Sequence, residues 1–233
     1  GGLQHVLQRN RKKITMLYDI LSTQKTIHKD LKTTVIKHIN HPWQRPIPEK
    51  QHTIFSTINA LVQKQTRPVI LDSCCGTGVS SAFLAEQHPD CLVIGVDQSL
   101  HRLQKNPVFK QGGRDKNLLL VHANVMDFWR LISQASWPIE KHYLLYPNPY
   151  PKASDLTKRW QGHPVFPVLM SLSLSLEVRS NWRIYLEEFE MAAGLIKDVE
   201  ARLSEYRPEK AMTLFERKYI ENDVKLYSLV LDL

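Results

Sequence analysis

Pro68-Val-Ile-Leu-Asp72-Ser73-Cys74-Cys75-Gly76-Thr77-Gly78 is the stretch that decides the fold. An apolar run ends in an aspartate, a short turn holds two glycines, and a helical pattern follows through Phe83-Leu84 to about His88. Strand, tight turn and helix in that order form the opening unit of a parallel α/β sheet. Glycine has no Cβ, so Gly76 and Gly78 allow a sharp turn and a close approach of backbone to ligand.

Downstream the alternation repeats. Cys91–Val96 reads as a second strand with Asp97 at its end, followed by a helix from Ser99. Asn117–Val121 reads as a third strand, with a helix from about Val125 to Ser133, and Lys141–Tyr146 as a fourth. A Pro-rich polar loop over 147–164 precedes a long apolar helix to about Val178. Trp182–Leu186 is expected as a fifth strand, with a helix through Glu205. The runs Ala211–Ile220 and Val224–Leu233 then close the chain as an antiparallel hairpin. The pattern predicts an α/β protein with a doubly wound, Rossmann-like sheet.

Upstream, a helix is expected around Ile54, Ile58, Leu61 and Val62. Before it, His41–Pro48 carries three prolines and reads as an extended connector. Residues 4–40 place Ile14, Leu17, Tyr18 and Leu21, then Ile27, Leu31, Val35 and Ile39, at helical spacing among many lysines and arginines. They predict two basic amphipathic helices broken near Ser22-Thr23. The expected division is a basic helical extension with its connector over 1–50 and one α/β domain over 51–233.

The chain has 233 residues, 42% of them apolar and 23% charged, enough for one full α/β core. No apolar run reaches the roughly 20 residues of a membrane span. The three cysteines are odd in number and two are adjacent, which excludes a disulfide framework. A reducing, cytoplasmic setting is expected. The net charge of +8 is lopsided: residues 1–66 hold 11 basic and 3 acidic side chains, whereas 67–233 hold 20 of each. A basic extension beside a neutral body points to a polyanion, nucleic acid foremost; the alternative is helices that pack on the body or on another subunit.

Ligands of open parallel sheets bind beyond the carboxyl ends of the strands. There, Asp72, the glycine turn and Asp97 suit a nucleoside-containing cofactor, since a carboxylate can accept from both ribose hydroxyls. Gly76-x-Gly78-x-x-Ser81 approaches a dinucleotide fingerprint but lacks its last small glycine, and no Gly-Lys-Ser/Thr marks an ATP loop. No Cys/His set has metal-ligand spacing, and His38-x-x-His41 reads as surface histidines.

Leu71-Asp-Ser-Cys-Cys-Gly-Thr-Gly78 resembles the first motif of Rossmann-like S-adenosylmethionine-dependent methyltransferases, L-D-x-G-C-G-T-G. It departs where Cys74 replaces the first glycine. The resemblance implies that Asp72, Cys74, Gly76 and Gly78 cradle the methionine part and Asp97 holds the ribose. Asn124 would lie near the adenine, with Gln98 and Val125 beside the cofactor.

After strand four stands Tyr146-Pro-Asn-Pro-Tyr-Pro-Lys152, continuing to Lys158-Arg159-Trp160, and late in the chain Thr213-Leu-Phe-Glu216. Together these are similar to the tRNA (guanine-N7-)-methyltransferase family, which has F-P-D-P-W-P-K and T-x-F-E at those places. Asn148 then stands at the family's catalytic aspartate and Lys152 at its substrate-contacting lysine. Thr213 and Glu216 would close around guanine and cofactor, although residues three apart on a strand face opposite ways unless a turn or bulge intervenes. Glu188, with Glu187 as rival, is the candidate for an acid after strand five. Tyr150, Lys152, Lys158, Arg159 and Trp160 form a basic, aromatic set suited to holding unpaired RNA.

Three other readings remain from sequence. Asn148-Pro149-Tyr150 is one proline short of the N-P-P-Y motif of amino-group methyltransferases, which would act on an exocyclic base amine or a protein amide. Asn148 and Cys74 also fit a non-catalytic RNA-binding relative. The glycine turn alone would fit a nicotinamide-dependent oxidoreductase.

Overall fold

The computed structural model describes residues 20–233, together with Gln4. One eight-stranded sheet runs in the order β3-β4-β2-β1-β5-β6-β8-β7. Its strands are β1 (Val69–Ser73), β2 (Leu92–Asp97), β3 (Arg114–Asp115), β4 (Leu118–His122), β5 (Ile139–Leu145), β6 (Ser175–Ser180), β7 (Glu200–Tyr206) and β8 (Leu226–Asp232). The five strands β4, β2, β1, β5 and β6 are mutually parallel; β3, β8 and β7 join antiparallel. The order reverses beside β1, which places the ligand crevice of such a sheet at its carboxyl end.

Helices α1 (Leu31–Asn40), α2 (Glu49–Gln63), α3 (Val79–Gln87), α4 (Leu100–Leu103), α5 (Pro107–Lys110), α6 (Val125–Ala135), α7 (Phe166–Leu169), α8 (Arg183–Ile196) and α9 (Leu214–Glu221) surround the sheet. β1 and β2 are buried along their whole length, as strands covered on both faces must be. The larger core cluster joins Leu31 and Val35 of α1, Phe55 and Val62 of α2, and apolar residues of α6 and α8. A smaller one under α3 joins Ile70, Val93, Leu84, Leu120 and Tyr143. The described part of the basic extension therefore packs on the body. Arg45 of the connector clamps it further, donating to both oxygens of the buried Asp127 at 2.9 Å. The first expected basic helix lies outside the described residues.

Several expected elements are corrected. The long helix to Val178 is only the single turn α7, followed by β6. The strand begins at Ser175, where Leu176 and Val178 stand two apart, whereas Leu172 and the exposed Leu174 lie in the turn before it. The fifth parallel strand is thus β6, whereas Trp182–Leu186 opens α8. The helix expected through Glu205 ends at Ile196, and β7 follows. Ala211–Ile220 contains α9 in place of a strand, so the closing antiparallel pair is β7 with β8. His38, expected at the surface, is half-buried with its Nε2 3.0 Å from the Gly162 carbonyl.

Gly95 lets α3 lie directly on β2. A Cβ there would strike Ser81 Oγ and come within 2.9 Å of Leu120 Cδ2. Gly95→Ala is expected to destabilise the fold by about 1–3 kcal/mol in chemical denaturation, because the neighbours are core atoms without room to withdraw.

Candidate active site

The β1 turn is built around two carboxylates. Asp72, 1% exposed, accepts 2.6 Å hydrogen bonds from the hydroxyls of Ser80 and Ser81, both in the first turn of α3. Its Oδ1 is buried without a partner. Burial pushes its pKa up to about 6, against the pull of the two hydroxyls. Asp97, 2% exposed, accepts from the Gly76 N–H at 2.8 Å and the Ser99 N–H at 2.7 Å, tying the β1 turn to the β2 turn. Arg102 stands 3.9 Å away.

Cys74, Gly76 and Gly78 all have φ near +60° to +76°. Two are the glycines that this region favours; Cys74 takes it at the steric cost of a side chain. Burial lifts the Cys74 thiol to about 12 and Cys75 well above its ordinary value, so neither is a nucleophile near neutrality. Asn124 caps α6, its Oδ1 accepting from the Asp127 N–H at 3.1 Å, while its own N–H donates to Gln51. Val125 is buried beside it and Gln98 is exposed at the β2 tip.

Beyond β5 the backbone turns left-handed at Tyr146 (φ 52°) and Tyr150 (φ 44°), either side of Pro147, Asn148 and Pro149. Asn148 is exposed, and its Oδ1 accepts from the Tyr150 N–H at 3.2 Å. Lys152 and Lys158 are exposed, with Lys158 2.9 Å from Asp155 and 5.9 Å from the Tyr150 ring centroid. Trp160 is drawn inward onto Trp129, ring centroids 4.8 Å apart.

Arg159 and Glu188 do not face a substrate. Both side chains are 0% exposed and paired at 2.8 Å. Arg159 also donates to the Tyr150 and Lys152 carbonyls, so it holds the loop from inside. Glu187 is on the surface with Arg183. Thr213 and Glu216 meet because they open a helix: Thr213 Oγ1 accepts from the Glu216 N–H, which caps α9. The Glu216 carboxylate, fully buried, accepts from Met212 N–H at 2.7 Å, Arg179 at 2.7 Å and the Tyr146 hydroxyl at 2.8 Å. Burial and the Glu216 charge keep the Tyr146 phenol neutral, a pure donor here. Arg179 reaches on to Glu177 and lies 4.1 Å from the Tyr206 ring centroid. The Thr213–Glu216 motif thus anchors the start of the Asn148 loop through Tyr146.

Sequence reasoning missed Tyr146, Arg179, Ser22, Gln24, Ser80 and Ser81. Only the Ser80-Ser81 pair following a glycine turn carried a signal, as helix-opening hydroxyls close to Asp72. Among the described residues, no group of three His, Cys, Asp or Glu side chains could hold a metal ion, and no helix is long and apolar enough to cross a membrane.

The profile of a putative methyltransferase family matches residues 66–229. Solved structures with a similar fold include the antibiotic-resistance methyltransferase Kmr, at 18% identity and a TM-score of 0.51, covering 76% of this chain and 92% of that one. The 16S rRNA methyltransferase KamB matches at 17% identity and a TM-score of 0.51, covering 74% and 91%. The aminoglycoside-resistance methyltransferase NpmB1 matches at 17% identity and a TM-score of 0.51, covering 81% and 94%. At these identities they speak for the fold alone. No curated protein matches the chain by sequence.

S-adenosylmethionine, with a sulfonium and an ammonium, fits the chemistry of this turn. The buried Asp72 oxygen lacks a donor, and burial holds its carboxyl pKa up at about 6. Asp97 has used two of its roughly four acceptor positions, leaving capacity for ribose hydroxyls. The raised Asp72 pKa means its stabilising contribution is complete below about 4 and lost as pH rises through about 6. A cationic ligand reverses that preference by favouring the carboxylate. Calorimetric affinity for S-adenosylhomocysteine, which keeps the ammonium, is therefore expected to weaken as pH falls from 7 to 5, approaching about tenfold per unit below 6. Asp72→Asn should flatten that slope.

Proposed function

The chain belongs to this putative methyltransferase family, that of the tRNA guanine-N7 methyltransferases, and is an S-adenosylmethionine-dependent methyltransferase; on that premise we propose that it methylates N7 of a guanine in tRNA. The observation that carries this reading is the orientation of Asn148. Its Oδ1 accepts from the Tyr150 N–H, so the Nδ2 hydrogens are the part offered to a substrate. A donor suits the guanine Hoogsteen edge, where O6 is an acceptor. An exocyclic amine would instead have to share that oxygen with the Tyr150 N–H through its second lone pair.

The cofactor supplies an electrophilic methyl group. Guanine N7 has a free lone pair and no proton to lose, so the protein needs no general base. Its tasks are alignment and exclusion of water. Asn148 Nδ2 would donate to O6 and so leave the N7 lone pair free for in-line attack. Tyr150 would stack on the base, with Lys152 and Lys158 near the phosphates. An amide in place of a carboxylate costs charge stabilisation of the methylated ring, so turnover is expected to be modest. The surplus of basic residues over 1–66 would add affinity that falls with salt.

Incubation with S-adenosylmethionine and unmodified tRNA, followed by nucleoside mass spectrometry, should yield 7-methylguanosine. Asn148→Ala should lower kcat by about 10-fold to 100-fold, the worth of one hydrogen bond to a charged or charging group. An N-methylated adenosine or cytidine would transfer the reading to an exocyclic amine. Cofactor binding with no product from tRNA would reject it.

A further inference from the structure

We infer that Arg159 and Gln24 are positioning residues for the Asn148–Tyr150 turn, and that the segment 22–28 is part of the active-site scaffold, setting turnover and not RNA affinity alone. The kinetic consequence rests on the proposed methyl transfer; the structural one does not.

The loop after β5 cannot support itself. Pro147, Pro149 and Pro151 have no N–H to donate, and Tyr150 between the last two is left-handed. Of three successive carbonyls, Lys152 O accepts locally from the Asp155 N–H at 3.0 Å, while those of Tyr150 and Pro151 take their donors from elsewhere. Arg159 Nε donates to Tyr150 O at 3.0 Å and its Nη2 to Lys152 O at 3.2 Å. Pro151 O between them accepts from the Ser22 hydroxyl at 2.7 Å. The turn is thus gripped from one side by a buried guanidinium and from the other by the N-terminal segment.

The two grips are one structure. Arg159 Nη1 meets both oxygens of Glu188 at 2.9 and 2.8 Å, and Nη2 also donates to Gln24 Oε1 at 3.1 Å. Gln24 returns a hydrogen bond from Nε2 to Glu188, whose same oxygen accepts the His28 N–H at 3.0 Å. Gln161 fills the other Glu188 oxygen at 3.0 Å, and the Trp182 ring lies 5.0 Å from the guanidinium. Gln24, bridging cation and anion, covers an ion pair that would otherwise meet water. Residues 22–28 form no helix or strand, so these bonds, with Ile27 packed on the core, fix their course. Losing them frees Pro151 O and loosens Arg159, and Tyr150 can then relax from its left-handed conformation. Its N–H would leave Asn148 Oδ1, and the amide presented to substrate would no longer be oriented.

The test pairs amide hydrogen exchange, followed residue by residue by NMR, with steady-state kinetics on the full chain. The double variant Ser22→Ala/Gln24→Ala touches partly exposed groups and should fold. Its Tyr150 amide should exchange at least tenfold faster than wild type, with kcat at least tenfold lower and KM for S-adenosylmethionine within twofold. Arg159→Lys, which keeps the charge without the fork, should act in the same direction. The charge variant Lys25→Ala/Lys29→Ala/Lys32→Ala should instead raise KM for tRNA and leave Tyr150 exchange at the wild-type rate. Unchanged Tyr150 exchange in the double variant overturns the inference, as does a loosened loop with unchanged kcat. If the wild type methylates no tRNA, the functional reading fails while exchange still decides whether the segment holds the loop.

Discussion

A guanidinium and a carboxylate with no water around either are tolerable only if their hydrogen-bonding capacity is met. Arg159 and Glu188 satisfy that condition by recruiting the whole neighbourhood. Glu188 comes from α8, Arg159 from the loop after β5, and the remaining partners from the N-terminal segment and Gln161. Removing one partner of such a pair leaves a buried charge uncompensated, a loss on the order of 3–5 kcal/mol. The loop, the N-terminal segment and α8 therefore stand or fall together, and the exposed Asn148 turn is the outermost part of that assembly.

A second buried anion fixes the other end of the same loop. Glu216 gathers Tyr146, Arg179 and the backbone before α9, so the chain leaves β5 under constraint from the inserted helix of the C-terminal antiparallel pair. On the far side of β1, Asp97 does comparable work for the glycine turn. Buried carboxylates thus set the loops at the carboxyl edge of the sheet, and the groups left outward are few: Asn148, Tyr150, Lys152 and Lys158. Asp72 differs from the rest because one of its oxygens has no partner, which makes it the carboxylate most responsive to a cationic ligand.

The parallel half of the fold was legible in sequence because β1, β2 and β4 are continuous apolar runs ending in turn residues. Beyond the proline loop the reading failed for identifiable reasons. Ser-Leu repeats over 171–176 look helical by composition, but the chain turns over 171–174, leaving Leu174 exposed, and only from Ser175 runs as a strand. Thr213 and Glu216 looked like strand residues until the capping geometry placed them three apart at a helix start. At the site, motif resemblance located the turn residues. It could not distinguish side chains that meet a substrate from those that hold the loop: Arg159 and Glu188 read as substrate contacts because charged residues are mostly exposed. Their pairing partners lie far away in sequence, Gln24 135 residues before Arg159, and no spacing rule reaches that far.

The orientation of Asn148 is where structure and proposed chemistry meet. A crystal structure with S-adenosylhomocysteine and a guanosine-containing oligonucleotide measures it directly. The account predicts Asn148 Oδ1 still on the Tyr150 N–H, Nδ2 within hydrogen-bond distance of guanine O6, and N7 facing the cofactor sulfur. A guanine bound elsewhere, or an Asn148 turned to accept from a base amine, would contradict it.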